Sequence, residues 1–130
     1  MRRRLQIAVA AVLAGFNAFA QQPQPNYTFR ALVAPGATIG DHKFTDDTVF
    51  DNVALNDSGE LGFVARWTDS DDNRSAVYTS HRLVARDGDT LGGKTLTAVV
   101  GSIAINRSGR VAYEAEWNDR AGATARGVFL

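Results

Sequence analysis

One stretch of this chain occurs twice. Ala54–Trp67 reads ALNDSGELGFVARW, and Ala104–Trp117 reads AINRSGRVAYEAEW, fifty positions later and without a gap. Six of the fourteen positions are identical (Ala, Asn, Ser, Gly, Ala and Trp), and Leu55/Ile105, Leu61/Val111 and Phe63/Tyr113 are close substitutions. An internal repeat fixes the architecture more firmly than any local propensity, because each copy must fold alike and pack against its neighbour.

Each copy divides at its glycine. Asn56-Asp57-Ser58-Gly59 and Asn106-Arg107-Ser108-Gly109 have turn composition. Asn and Ser hydrogen-bond nearby backbone, and glycine accepts a positive φ without a side-chain clash. We therefore read Asn56, Ser58, Gly59, Asn106, Ser108 and Gly109 as structural turn residues. After the glycine, Leu61, Phe63, Ala65 and Trp67 alternate with Gly62, Val64 and Arg66. In the second copy Val111, Tyr113, Ala115 and Trp117 alternate with Ala112, Glu114 and Glu116. Period two predicts a strand with one buried face, its wetter side marked by the glutamates. Phe63, Trp67, Tyr113 and Trp117 are the expected core residues.

The correspondence extends in both directions. Ala76-Val77-Tyr78 matches Gly127-Val128-Phe129, and Leu32-Val33-Ala34 matches Leu83-Val84-Ala85. Strands are expected at Val49–Leu55, Glu60–Trp67, Ser75–Thr79 and Arg82–Arg86, with an earlier one at Tyr27–Ala34 and loop over Pro35–Asp47. The fold class is thus all-β, built of tandem four-stranded antiparallel units of about 50 residues, a length that suits a propeller blade.

The unit resembles that of bacterial exported tandem-repeat β proteins carrying an Ala-x-Asn-x-x-Gly-x-Val-Ala-Phe-x-Ala pattern. The matching residues are Ala54, Asn56, Gly59, Phe63 and Ala65, then Ala104, Asn106, Gly109, Val111, Ala112, Tyr113 and Ala115. Gly127-Val128-Phe129 and Arg86-Asp87-Gly88-Asp89 match two further elements of that group; Leu61, Gly62 and Tyr113 depart from its pattern. The resemblance implies a propeller-like fold and a surface or periplasmic role. It transfers no catalytic residue, because the shared pattern is structural.

The domain organisation follows. Residues 1–20 read as a signal peptide: Arg2, Arg3 and Arg4, an apolar stretch from Ile7, and Ala18-Phe19-Ala20 as the cleavage pattern. Residues 21–29 form a polar leader, and 30–130 the β-repeat domain. Secretion or periplasmic residence follows, with no transmembrane span left after cleavage. The chain has 14 basic and 14 acidic residues, so losing three arginines leaves a net charge near −3. Without a basic stripe, nucleic-acid binding is disfavoured, and with no cysteine there is no disulfide framework.

Two units leave open blade edges through which chains can associate, and closed propellers use at least about four blades. Leu130 falls within the second Gly-Val-Phe strand, whereas the first unit continues into Leu83–Arg86. We therefore expect an incomplete propeller cut short at Leu130. An oligomer that completes the ring and a small two-sheet domain are the alternatives.

No residue set declares a reaction. Asp69, Asp71 and Asn73 occupy alternate positions like the opening of a calcium loop, but Arg74 stands where such a loop has glycine and Ser80 where it has glutamate. A solvated hairpin explains them better, and no cofactor is expected apart from this weak calcium candidate. His42 and His81, both in expected loops, lack metal-ligand spacing and read as surface histidines. Trp67 and Trp117 could line a glycan surface, although their parity places them with the apolar face. The sequence thus favours a non-catalytic module with a structural or interaction role and a protein or glycan partner. The alternative is a fragment of a secreted propeller hydrolase whose active site lies outside this chain.

Overall fold

The computed structural model describes residues 28–130. The expected signal peptide (1–20) and residues 21–27 of the leader lie outside the described residues. The described chain is all-β, with no helix. Its strands are β1 (Thr38–Ile39), β2 (His42–Lys43), β3 (Val49–Leu55), β4 (Leu61–Asp69), β5 (Asp72–Thr79), β6 (Leu83–Arg86), β7 (Thr90–Leu91), β8 (Lys94–Ile105), β9 (Val111–Asn118) and β10 (Thr124–Phe129). They form two four-stranded antiparallel sheets, ordered β3-β4-β5-β6 and β10-β9-β8-β7, and a small β1-β2 hairpin. Every neighbouring pair within the large sheets is also consecutive in sequence, which short turns permit.

Two local expectations differ from the structure. No strand forms over residues 28–34, and the stretch expected as loop, Pro35–Asp47, contains β1 and β2. The cause is a turn closed at Pro35: the Ala37 amide donates to the Ala34 carbonyl at 3.1 Å, and the Gly36 amide to the Phe44 carbonyl at 2.7 Å. The chain is thereby folded back on itself instead of extended. The same pair of bonds precedes the second sheet, where the Asp89 amide donates to Arg86 at 3.1 Å and the Gly88 amide to Leu96 at 2.8 Å. Phe44 and Leu96, the residues these turns hold in place, are both buried.

The two sheets pack face to face. Val64 and Val77 of the first sheet meet Leu96, Val99, Val111, Tyr113 and Ala115 of the second in one buried cluster. The opposite face of the first sheet carries Leu61, Phe63, Ala65, Ala76 and Tyr78, covered by Ile39 and Phe44. Here β4 departs from the expected one-sided burial: Leu61 through Ala65 are buried on both sides. The reason is that β8 lies across its second face. Ile103 and Ile105 lie over Gly62 at ordinary van der Waals distance, 3.6 and 3.7 Å from where its Cβ would stand, and so cover this face. In β9 alternation is retained, with Val111, Tyr113 and Ala115 buried between partly exposed neighbours.

Aromatic packing is alike in both sheets. Phe63 and Tyr78 stack with centroids 5.7 Å apart, and Tyr113 and Phe129 stack at 5.8 Å, each pair at an interplanar angle of 19°. The first pair is joined edge-on by Phe44; the second has the smaller Leu96 in its cluster instead.

Candidate functional site

The duplicated turns come together. Asn56 Oδ1 accepts the Ser58 and Glu60 amides at 3.0 and 2.9 Å, and Asn106 Oδ1 accepts the Ser108 and Arg110 amides at 3.0 and 2.9 Å. Gly59 and Gly109 sit at φ 78° and 76°, the left-handed region that glycine occupies without strain. Their amides close the turns by donating to the Asn56 and Asn106 carbonyls. What links one turn to the other is the remaining arm of Asn56: its Nδ2 donates to the Asn106 carbonyl at 2.8 Å. Asn56 is buried in consequence, while Asn106 is exposed.

Opposite the turns, at the far ends of the long strands, stand the two tryptophans. Both are half-buried and lie at the margin of the core rather than within it, unlike Phe63 and Tyr113, which are buried. Each carries a residue from the neighbouring small hairpin. The His42 ring stacks on Trp67 with centroids 4.1 Å apart, and Lys94 Nζ lies 5.3 Å from the Trp117 ring centroid. His42 is thus held by an aromatic partner, and is not the free surface histidine expected from the sequence; His81 is exposed.

A groove of about 720 Å³ opens around Trp117, bounded by Lys94, Thr95, Thr97, Asn118, Asp119 and Arg120 among others. Its chemistry is that of a polar contact surface: two hydroxyls, an amide, two cations and an indole. Lys94 lies over the indole, and Gly127 is close enough that an added Cβ would stand 3.0 Å from the ring. Asp119 is committed to its own turn, its Oδ1 accepting the Ala121 and Ala123 amides at 2.8 and 2.9 Å.

Asp69, Asp71 and Asn73 lie in the β4–β5 hairpin. Asp69 pairs with Asp72 across a two-residue turn, in which Ser70 and Asp71 both have positive φ, 47° and 76°. That is the turn whose twist matches its flanking strands. Among the described residues no group of three His, Asp or Glu side chains is placed to hold a metal ion, and no helix is long and apolar enough to cross a membrane.

Ionisation is perturbed in the core, away from the groove. Burial, reinforced by the carboxylate of Asp41, pushes the Tyr78 hydroxyl up to about 12. Burial, with Asp89 nearby, also raises Tyr113.

Several structural residues carry no signal in a strand-by-strand reading. Ser75 Oγ accepts the buried Val99 amide at 2.8 Å, tying the sheets together. Arg74 pairs with Asp87 at 2.7 Å, and Asp87 also accepts the Ser75 amide at 3.1 Å. Only the Phe44/Leu96 anchors were traceable, by extending the internal alignment beyond Gly40 and Gly92. Comparison of the chain with family models, with curated proteins and with solved structures returned no match.

Proposed function

We propose that this chain is an exported, non-catalytic β-repeat module with a structural or interaction role, made of two propeller-blade-like units. The observation that carries this reading is where the recurring residues are spent. Asn56/Asn106, Gly59/Gly109, Phe63/Tyr113 and Ala65/Ala115 serve turns and packing, and the paired asparagines meet through the 2.8 Å bond between turns. Repetition that supports stacking is what a solenoid or propeller needs, whereas a catalytic centre relies on a unique convergence of groups. Export rests on the Arg2–Arg4 and Ala18–Ala20 pattern. Protein or glycan surfaces are the partner class, and the groove beside Trp117 is the contact region we favour.

The test combines location with activity. Fractionation and intact mass should find the chain outside the cytoplasm, beginning at Gln21. The purified protein should show no turnover on a panel of ester, glycoside and phosphate substrates. Retention of Met1–Ala20 in a cytoplasmic product would defeat the export claim. Turnover abolished by one substitution in the Trp117 groove would replace the module reading with an enzymatic one.

A further inference from the structure

We infer that the groove beside Trp117 binds an acidic saccharide, one that carries carboxylates or sulfates; this deepens the interaction reading above and rests on it. The two copies of the repeat supply the comparison. The Ile39–His42 pairing of the first small hairpin recurs as Leu91–Lys94 in the second. Each hairpin sends one residue onto a tryptophan, His42 onto Trp67 and Lys94 onto Trp117. The two places are built alike, so the positions at which they differ show what the second has become.

Three differences stand out, and all have the same sense. In the first copy His42 lies along Trp67, ring centroids 4.1 Å apart and planes 30° from parallel, and closes that face of the indole. In the second copy the hairpin holds an ammonium beside the ring instead of a second ring upon it, with Lys94 Nζ 5.3 Å from the Trp117 centroid. Asp41, whose carboxylate pairs with Arg86 at 3.3 Å, gives way to Gly93. Gly92 and Gly93 have φ of 56° and 75°, and a Cβ on either would meet nothing within 4 Å, so the hairpin tip is bare backbone facing open space. Ser70, in the tight β4–β5 turn, gives way to Arg120 in the β9–β10 turn. The replacements remove an acid, add cations and uncover an indole.

The chemistry of the lining then selects the ligand. Among the described residues neither Lys94 nor Arg120 forms an ion pair with a carboxylate. The one acid in the lining, Asp119, has its Oδ1 on the amides of its own turn. Two cations against one carboxylate favour an anion, and guanidinium and ammonium groups bind carboxylate or sulfate oxygens through charge-assisted hydrogen bonds. The indole offers an apolar surface for the C–H face of a sugar ring while its rim stays wet, and the Asn118 amide is available to sugar hydroxyls. The side-chain-free glycine tip lets a ring come close to the backbone. A neutral saccharide would leave both cations unused, and an acidic peptide would bring charge but no ring to lie along the indole. All of these residues fall between Gly92 and Arg120, within the described chain.

Isothermal titration of the purified protein with tetragalacturonate and with a sulfated galactan tetramer tests this. Saturable binding of either is expected, and the methyl ester of the uronate, the same sugar without its charge, should bind at least about tenfold more weakly. Lys94→Gln and Arg120→Gln should each weaken binding roughly two- to fivefold, with melting curves like that of the native protein. Lys43→Gln, on the first hairpin, should leave binding unchanged. Three results would each overturn the inference: no saturable binding of either acidic tetramer, equal binding of the methyl ester, or binding insensitive to both groove substitutions. Tighter binding of a tetraglutamate peptide would overturn it in favour of an acidic protein partner and leave the interaction module standing. The module reading fails separately, if mass spectrometry finds the tetramers shortened after incubation with the protein.

Discussion

Asn56 and Asn106 have the same neighbours in sequence and make the same turn, but they differ in what the turn faces. Both side chains make three hydrogen bonds, but Asn56 is buried and sends one of its bonds to the other turn, while all three of Asn106, the Ser108 hydroxyl included, stay within its own turn at the surface. Leaving buried donors or acceptors unpaired costs about 1–3 kcal/mol, against about 1 kcal/mol for an ordinary exposed bond. Asn56→Ala should accordingly destabilise the chain more than Asn106→Ala, by about 1–2 kcal/mol, in parallel denaturant titrations. Equal losses would mean that the bond between turns adds little. The turn itself was legible in the sequence, because Asn-x-Ser-Gly declares its own local chemistry. The bond from Asn56 to Asn106 was not, since local spacing says nothing about which turn lies against which.

At the scale of the elements, β8 is where sequence reasoning reached least far. It is a single 12-residue strand whose pairing with β9 shifts twice, between Leu96 and Ala98 and between Val100 and Ile103. Such bulges leave a residue out of the ladder, and the Val99 amide near the first shift finds Ser75 Oγ on the other sheet instead of a strand partner. Ser75→Ala should strand that buried amide and cost about 1–3 kcal/mol, whereas Ser75→Thr, which keeps a hydroxyl, should recover part of the loss; a melting curve on each variant reads this. The alternation in β4 misled for a related reason. Gly62, Val64 and Arg66 look like a weak outward face, and the first two are covered only because β8, with Ile103 and Ile105, arrives from far along the chain. Where partners are local, as in the Asp69–Asp72 hairpin, the turn followed from composition, although its strands run on to Asp69 and from Asp72, past the expected ends at Trp67 and Ser75; where partners are distant, only the fold supplies them.

For the whole molecule, two layers share one stack of apolar residues, so that the first sheet is buried on both faces and the second on one. Two consequences can be measured. The first is alkaline sensitivity. Tyr78 titrates near 10 when unfolded and at about 12 in the fold, so the folded state holds its proton more tightly. Stability from this group is therefore complete below about pH 10 and lost as the pH rises toward 12. Tyr78→Phe, which keeps the stacked ring against Phe63, should flatten that fall in equilibrium unfolding between pH 10 and 12. An unchanged slope would place the alkaline loss in other groups.

The second consequence bears on the central claim, that the recurring turns and shared core join both sheets into one folding unit. Hydrogen exchange followed by mass spectrometry, on the native chain and on Asn56→Ala, tests it most directly. The account predicts that Val64 and Val77 in the first sheet and Val99 and Tyr113 in the second exchange with a common opening free energy in the native chain. It also predicts that the substitution lowers protection equally in both sheets. Protection lost in the first sheet alone, with the second left at its native level, would show two independently opening layers and contradict the account.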